Sequence, residues 1–258
     1  MSRIEEAFLK EKAFIPFITC GYPSLELTKK IVLEAAKNGA TLIELGIPFS
    51  DPTAEGPVIQ GANVVALENG VTTDKIFDFV KEIRKEISIP LVFMTYANVV
   101  YSYGMEAFLE KCKEVCIDGI ILPDVPYEEK DEFVDIAASY GVDMISLIAP
   151  TSEDRIAMIA KEAKGFIYIV SSLGVTGVRS EITTDIGSMV KLVKENTTTP
   201  CAVGFGISKP EQAEAMAALS DGVIVGSAII KMITEYGENS PQKIGEYVKT
   251  MKDAANRK

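Results

Sequence analysis

The chain predicts a (β/α)8 barrel, a single domain over residues 1–258, and three observations carry that expectation. Short apolar runs alternate with amphipathic stretches along the whole length, which is the pattern of a parallel sheet with helices between its strands. No linker rich in Pro, Gly or Ser and no low-complexity segment interrupts the series. The rival, a doubly wound open sheet, needs in its dinucleotide-binding form a GxGxxG directly after a strand. Here "GFGISK" lacks the third glycine, and no GxxxxGK[ST] loop occurs.

Taken in order, the strands are read at Phe14–Thr19, Leu42–Leu45, Leu91–Thr95, Gly119–Leu122, Met144–Ile148, Phe166–Val170, Cys201–Val203 and Val223–Val225, each a short and mainly apolar run. The helices between them are read at Ser24–Lys37, Thr73–Lys85, Met105–Val115, Glu128–Ser139, Ser152–Ala163, Asp185–Glu195 and Pro210–Ala218, followed by a C-terminal pair. Several begin at Ser, Thr or Asp, and several end at Gly, as in "AKNGA", "ASYGV" and "EAKGF".

With 47% hydrophobic and 24% charged residues, a chain of 258 can bury a full core. Its apolar runs fall short of the roughly eighteen residues that span a bilayer. Its first residues, MSRIEEAFLKEKAF, mix both signs of charge and lack the pattern of a secretory leader, so a cytoplasmic protein is expected. A net charge of -11 speaks against nucleic acid or an anionic membrane as partner. The four cysteines, Cys20, Cys112, Cys116 and Cys201, have no CxxC spacing and read as reduced packing residues, two of them one turn apart on a helix. Histidine is absent, which removes the commonest metal ligand and the commonest base at neutral pH. Acid-base chemistry falls to Asp, Glu, Tyr, Lys or Cys, and no metal site is expected.

In such a barrel the site lies at the carboxyl ends of the strands. Glu44 stands between Ile43 and Leu45, inside an apolar run. A carboxylate so placed pairs with a cation, faces solvent, or has its pKa raised by desolvation. The loop after it, "GIPFSDPTAEGP", is stiffened by Pro48, Pro52 and Pro57 and carries Asp51 and Glu55, which read as lying away from any helix dipole or in a solvated turn. Glycine-rich turns follow the last three strands: "SSLGVTG" (171–177), "GFGIS" (204–208) and "GSA" (226–228). Turns at the seventh and eighth strands are where phosphate-binding barrels hold their anion, on backbone amides and a helix N-terminus and without Lys or Arg. Phe17, Tyr96, Tyr101, Tyr168 and Phe205 near the expected mouth suit a flat apolar substrate, although Phe and Tyr on strands also serve as core.

The motifs "PFITCGYPS", "IELGIPFSDPTAEGPVIQ", "LPDVP", "GVTG", "GFGIS" and "DGVIVGSAI", in this order and spacing, resemble the tryptophan synthase alpha chain family. The likeness runs from about residue 1 to 250. It implies a (β/α)8 barrel that cleaves indole-3-glycerol phosphate to indole and glyceraldehyde 3-phosphate by a retro-aldol reaction without a cofactor of its own. It implies Glu44 as acid at indole C3 and base at the hydroxyl, and Glu55 as the carboxylate meeting the indole N–H. Phosphate binding carries over to Gly177, Gly206, Gly226 and Ser227, with Thr176 on a loop that the family closes over its substrate, and Phe17, Tyr96, Tyr168 and Phe205 match the indole pocket. The family works in an alpha-beta-beta-alpha assembly whose beta chain holds pyridoxal phosphate, and Asp51 and Asp124 match the region facing it.

Two departures stand out. The family pattern "DPLADGP" has an aspartate where this chain has Glu55, and Ser172 stands where several members have arginine. One extra methylene moves a carboxylate by about an ångström, a misplacement that can cost on the order of a hundredfold in rate. Besides the lyase, two readings stay open at this point: another phosphate-binding barrel enzyme, although no strand ends in the Lys or His these usually use, and a catalytically weakened alpha-type module that binds ligand and allosterically activates a beta chain.

Overall fold

The computed structural model describes residues 1–170, 185–204 and 206–257. Nine strands form one sheet: β1 (Ala13–Thr19), β2 (Ile43–Gly46), β3 (Leu91–Met94), β4 (Gly119–Ile121), β5 (Asp143–Met144), β6 (Ser146–Ile148), β7 (Ile167–Val170), β8 (Cys201–Gly204) and β9 (Gly222–Val225). Every pairing is parallel, and the order is β5-β4-β3-β2-β1-β9-β8-β7-β6.

The two ends of that order, β5 and β6, are pieces of the single strand expected at Met144–Ile148. Only Ile145 separates them, and its N–H donates to the Ile120 carbonyl at 2.9 Å. The first piece pairs with β4 and the second with β7, so the chain passes from one partner to the other as the sheet curls into a barrel. Helices Asp131–Ser139 and Glu153–Glu162 straddle this strand and leave a cavity of about 470 Å³ between them, lined by Val134, Ala138, Met144, Leu147 and Ile159. Ion pairs Lys130–Glu162 (2.5 Å) and Arg155–Glu128 (2.6 Å) bridge these neighbouring segments.

The strands are apolar on both faces because one face fills the barrel and the other meets the helices, which explains the continuous hydrophobic runs. At the amino end, Ile4 of a short capped helix, Arg3–Ala7, is fully buried close to Gly119. Close approach also governs β1 and β9, where Gly222 sits opposite Ala13. A Cβ on Gly222 would fall 2.6 Å from Ala13 Cβ and 2.8 Å from its carbonyl oxygen.

Three helices were not anticipated: Arg3–Ala7, Pro57–Glu68 and Ala97–Tyr103. Each lies outside the regular strand-helix alternation, and the first is too short for a period to show. The expected helix at Glu128–Ser139 begins later, at Asp131, after a 3₁₀ turn at Tyr127–Glu129. Cys20, Cys112 and Cys201 are buried free thiols, whereas Cys116 is exposed beyond the end of helix Met105–Glu114 with φ 58°, so it is no packing residue. Among the described residues no helix is long and apolar enough to cross a membrane.

Candidate active site

Glu44 is fixed by its strand. In the register of β2 it lies between Phe17 of β1 and Val92 of β3, and it is wholly buried. Neither carboxyl oxygen has a hydrogen-bond partner among the described residues. Burial therefore pushes its pKa up, to about 8. A protonated carboxyl waiting in an apolar barrel is a group made to give and take a proton near neutrality.

Tyr168 on β7 is buried, and its pKa is raised first by burial and then by the charge of Glu44, which puts the two within electrostatic reach. Its ring occupies space that only glycine leaves free at position 204, since a Cβ there would lie 2.5 Å from the phenol oxygen. Phe17 is accommodated in the same manner. A Cβ on Gly46 would lie 2.6 Å from its ring, and one on Gly226 would lie 3.4 Å away. Gly204, read from sequence as part of an anion turn, thus also makes room for a ring, as Gly46 does, whereas a Cβ at Gly226 would make ordinary contact with Phe17.

Glu55 lies on the loop after β2. It is only 4% exposed, and its Oε2 accepts a hydrogen bond from Asn63 Nδ2 at 2.8 Å. Burial raises its pKa to about 7, against the opposing pull of hydrogen bonds from Asn63 and Tyr96. The Tyr96 hydroxyl also accepts from the Ala54 N–H at 3.0 Å, and its ring packs on Phe49 at 5.1 Å. The reading of this loop as remote from a helix dipole is overturned: Glu55 immediately precedes Gly56, the N-cap of helix Pro57–Glu68. Pro57 occupies the first turn, where its missing N–H costs nothing, so a proline read as stiffening the loop also starts a helix. The solvated-turn reading fails for Glu55 and holds for Asp51, which is exposed and accepts from Ser50 Oγ at 2.5 Å.

Among the glycines expected to meet a phosphate, Gly206 has φ 83°, a conformation that favours glycine, just past β8. Gly226 is the N-cap of helix Ser227–Tyr236, and Ser227 is buried at its first turn. Helix start and glycine turn together offer amide donors and a positive dipole end to an anion. Asp124 is exposed and accepts from the Ala97 N–H through both oxygens at 3.1 Å, which tethers the "PDVP" segment to the start of helix Ala97–Tyr103. Tyr101 turns outward: it is 47% exposed, its hydroxyl donates to Glu132 at 2.6 Å, and its ring packs on Phe133 at 5.2 Å. Thr176, Gly177 and Phe205 lie outside the described residues.

Sequence reasoning missed Gln60 and Asn63, whose side chains both turn back to Glu55. Their spacing of three after a Pro-initiated helix start was the available signal.

A family model described as tryptophan synthase alpha chain matches residues 5–256. The tryptophan synthase alpha chain of Lacticaseibacillus casei is 47% identical over 258 residues, covering 100% of this chain and 97% of the relative. That of Lactiplantibacillus plantarum is 46% identical, covering 98% of this chain and 96% of the relative. Among solved structures, tryptophan synthase subunit alpha from Legionella pneumophila superposes with a TM-score of 0.90 at 36% identity, covering 99% and 98% of the two chains. A chain from the tryptophan synthase a2b2 complex of Pyrococcus furiosus does so with a TM-score of 0.85 at 36% identity, covering 94% and 98%. Since sequence and backbone agree along nearly the whole length, the chain belongs to the tryptophan synthase alpha chain family.

Proposed function

We propose that this chain is the alpha subunit of a tryptophan synthase and cleaves indole-3-glycerol phosphate to indole and glyceraldehyde 3-phosphate. The observation that carries the reading is Glu44, a buried carboxyl with no hydrogen-bond partner among the described residues and a pKa near neutrality, inside an apolar barrel. In the forward step Glu44 gives its proton to indole C3, and Glu55 as carboxylate meets the indole N–H and stabilises the cationic ring. The side-chain hydroxyl then gives up its proton to the carboxylate left on Glu44, the carbon-carbon bond breaks, and its electrons return to the indole ring. The aldehyde leaves as glyceraldehyde 3-phosphate.

Phe17, Tyr96, Tyr168 and Phe205 are assigned to the indole walls, and Gly177, Gly206, Gly226 and Ser227 to the phosphate, with Thr176 on the loop beside them. No cofactor is assigned to this chain, and pyridoxal phosphate belongs to a beta chain partner. Asp51 and Asp124, both exposed at the rim, are assigned to the face that meets it. Buried free thiols at Cys20, Cys112 and Cys201 suit a reducing cytoplasm.

The extra methylene of Glu55 lowers activity without abolishing it, because the carboxylate is buried and hydrogen-bonded. Measured as indole release, alone and with a beta chain, Glu55→Asp is expected to raise kcat/KM by no more than about tenfold. If only the variant turns over while the parent still binds substrate and stimulates the beta chain, the chain is a ligand-sensing module and the lyase assignment fails.

A further inference from the structure

Glu55 is fastened by the helix that begins directly after it. Gln60 and Asn63 are one turn apart on helix Pro57–Glu68 and project from the same face. Gln60 Nε2 donates to the Glu55 carbonyl at 2.7 Å, and Asn63 Nδ2 donates to its Oε2 at 2.8 Å. The first contact fixes the backbone of the acid, and the second fixes where its side chain ends. Asn63 is only 3% exposed, so water offers its amide little, and the bond to Glu55 is correspondingly hard to replace.

A glutamate has one more rotatable bond than an aspartate, and an untethered carboxylate at this position would spread over more rotamers. We infer that Asn63 is a positioning residue for the cleavage reaction, drawing the longer Glu55 side chain back toward the helix start and offsetting its extra methylene. The inference rests on the assignment of Glu55 as the second carboxylate of the lyase. Asn63 itself touches no reacting atom in this scheme and acts through Glu55.

The test compares steady-state indole release from indole-3-glycerol phosphate, in the presence of a beta chain and across pH, for the parent, Asn63→Ala, Asn63→Asp, Glu55→Gln and the double variant Glu55→Gln with Asn63→Ala. Asn63→Ala is expected to lower kcat by about tenfold while KM stays within about threefold, as the loss of one hydrogen bond to a charged group implies. It also moves the acid limb of kcat/KM to higher pH, because a contact that favours the carboxylate form is gone. Asn63→Asp keeps the volume, places a second acid against Glu55, and moves that limb further in the same direction. In the Glu55→Gln background, removing Asn63 changes the rate by less than about twofold, since no carboxylate is left to place.

Parent-like kcat and pH limb in both single variants overturn the inference. Equal losses in the Glu55 and Gln backgrounds overturn it too, since they mark a packing role independent of the acid. A parent that releases no indole, while Glu55→Asp does, defeats the lyase assignment itself and is told apart from the other outcomes by the parent measurement alone.

Discussion

Glu44→Gln is expected to slow indole release about a thousandfold, the middle to upper range for loss of one positioned acid-base group. The substitution keeps shape and volume and replaces the ionisable carboxyl with an amide that does not transfer a proton near neutral pH. A second expectation concerns stability. The folded-state pKa of Glu44 is raised from 4.5 to about 8, so between those values the folded chain holds a proton that the unfolded chain has released. Stability therefore falls as pH rises through that window, and the buried carboxyl opposes folding by several kcal/mol, on the order of 3–5, once pH exceeds its folded pKa. Denaturant unfolding at pH 5, 6.5 and 8 should show this slope largely lost in Glu44→Gln, with a smaller remainder up to about 7 from Glu55. A variant that cleaves at the parental rate removes Glu44 from the mechanism.

The largest purely structural effect is expected at Gly222. Its neighbours, the Cβ and carbonyl oxygen of Ala13, belong to a paired strand and cannot swing aside as a long side chain would. Gly222→Val must part β1 from β9 or bend one of them, at a cost of about 3 kcal/mol. For a chain of this size that corresponds to a fall in Tm of about 6–12 °C, read by calorimetry or circular dichroism. A Tm within about a degree of the parent would mean that the two strands separate more easily than their pairing indicates.

The alternation of strands and helices was legible because both faces of each barrel strand are buried, leaving short uninterrupted apolar runs. Glu44 was legible for the same reason: a charge within such a run is conspicuous. What sequence alone could not show was the conduct of its neighbours. Pro57 reads equally as a helix breaker and as a helix start, and only the backbone distinguishes them. Tyr101 and Tyr96 stand five positions apart, yet one turns outward to Glu132 and the other inward to Ala54 and Glu55, a difference set by the short helix between them. Gly204 and Gly46 have no local signature for their work, which is to leave room for rings from distant strands.

The division of the fifth strand at Ile145 also governs how the barrel loosens. In β2, β3, β4, β7, β8 and β9 at least two residues pair with both neighbours at once, whereas here, as in the wholly buried β1, each neighbour holds only half of a strand. Met144, Ser146 and Leu147 are partly exposed beside the adjoining cavity, so fewer buried contacts resist separation at this point. Local opening should begin at Asp143–Ile148, with amide hydrogens there exchanging with solvent through small fluctuations while those of β3, buried and paired on both sides along Val92–Met94, wait for global unfolding. The barrel is in that sense a band with a clasp, and hydrogen exchange should find the clasp first.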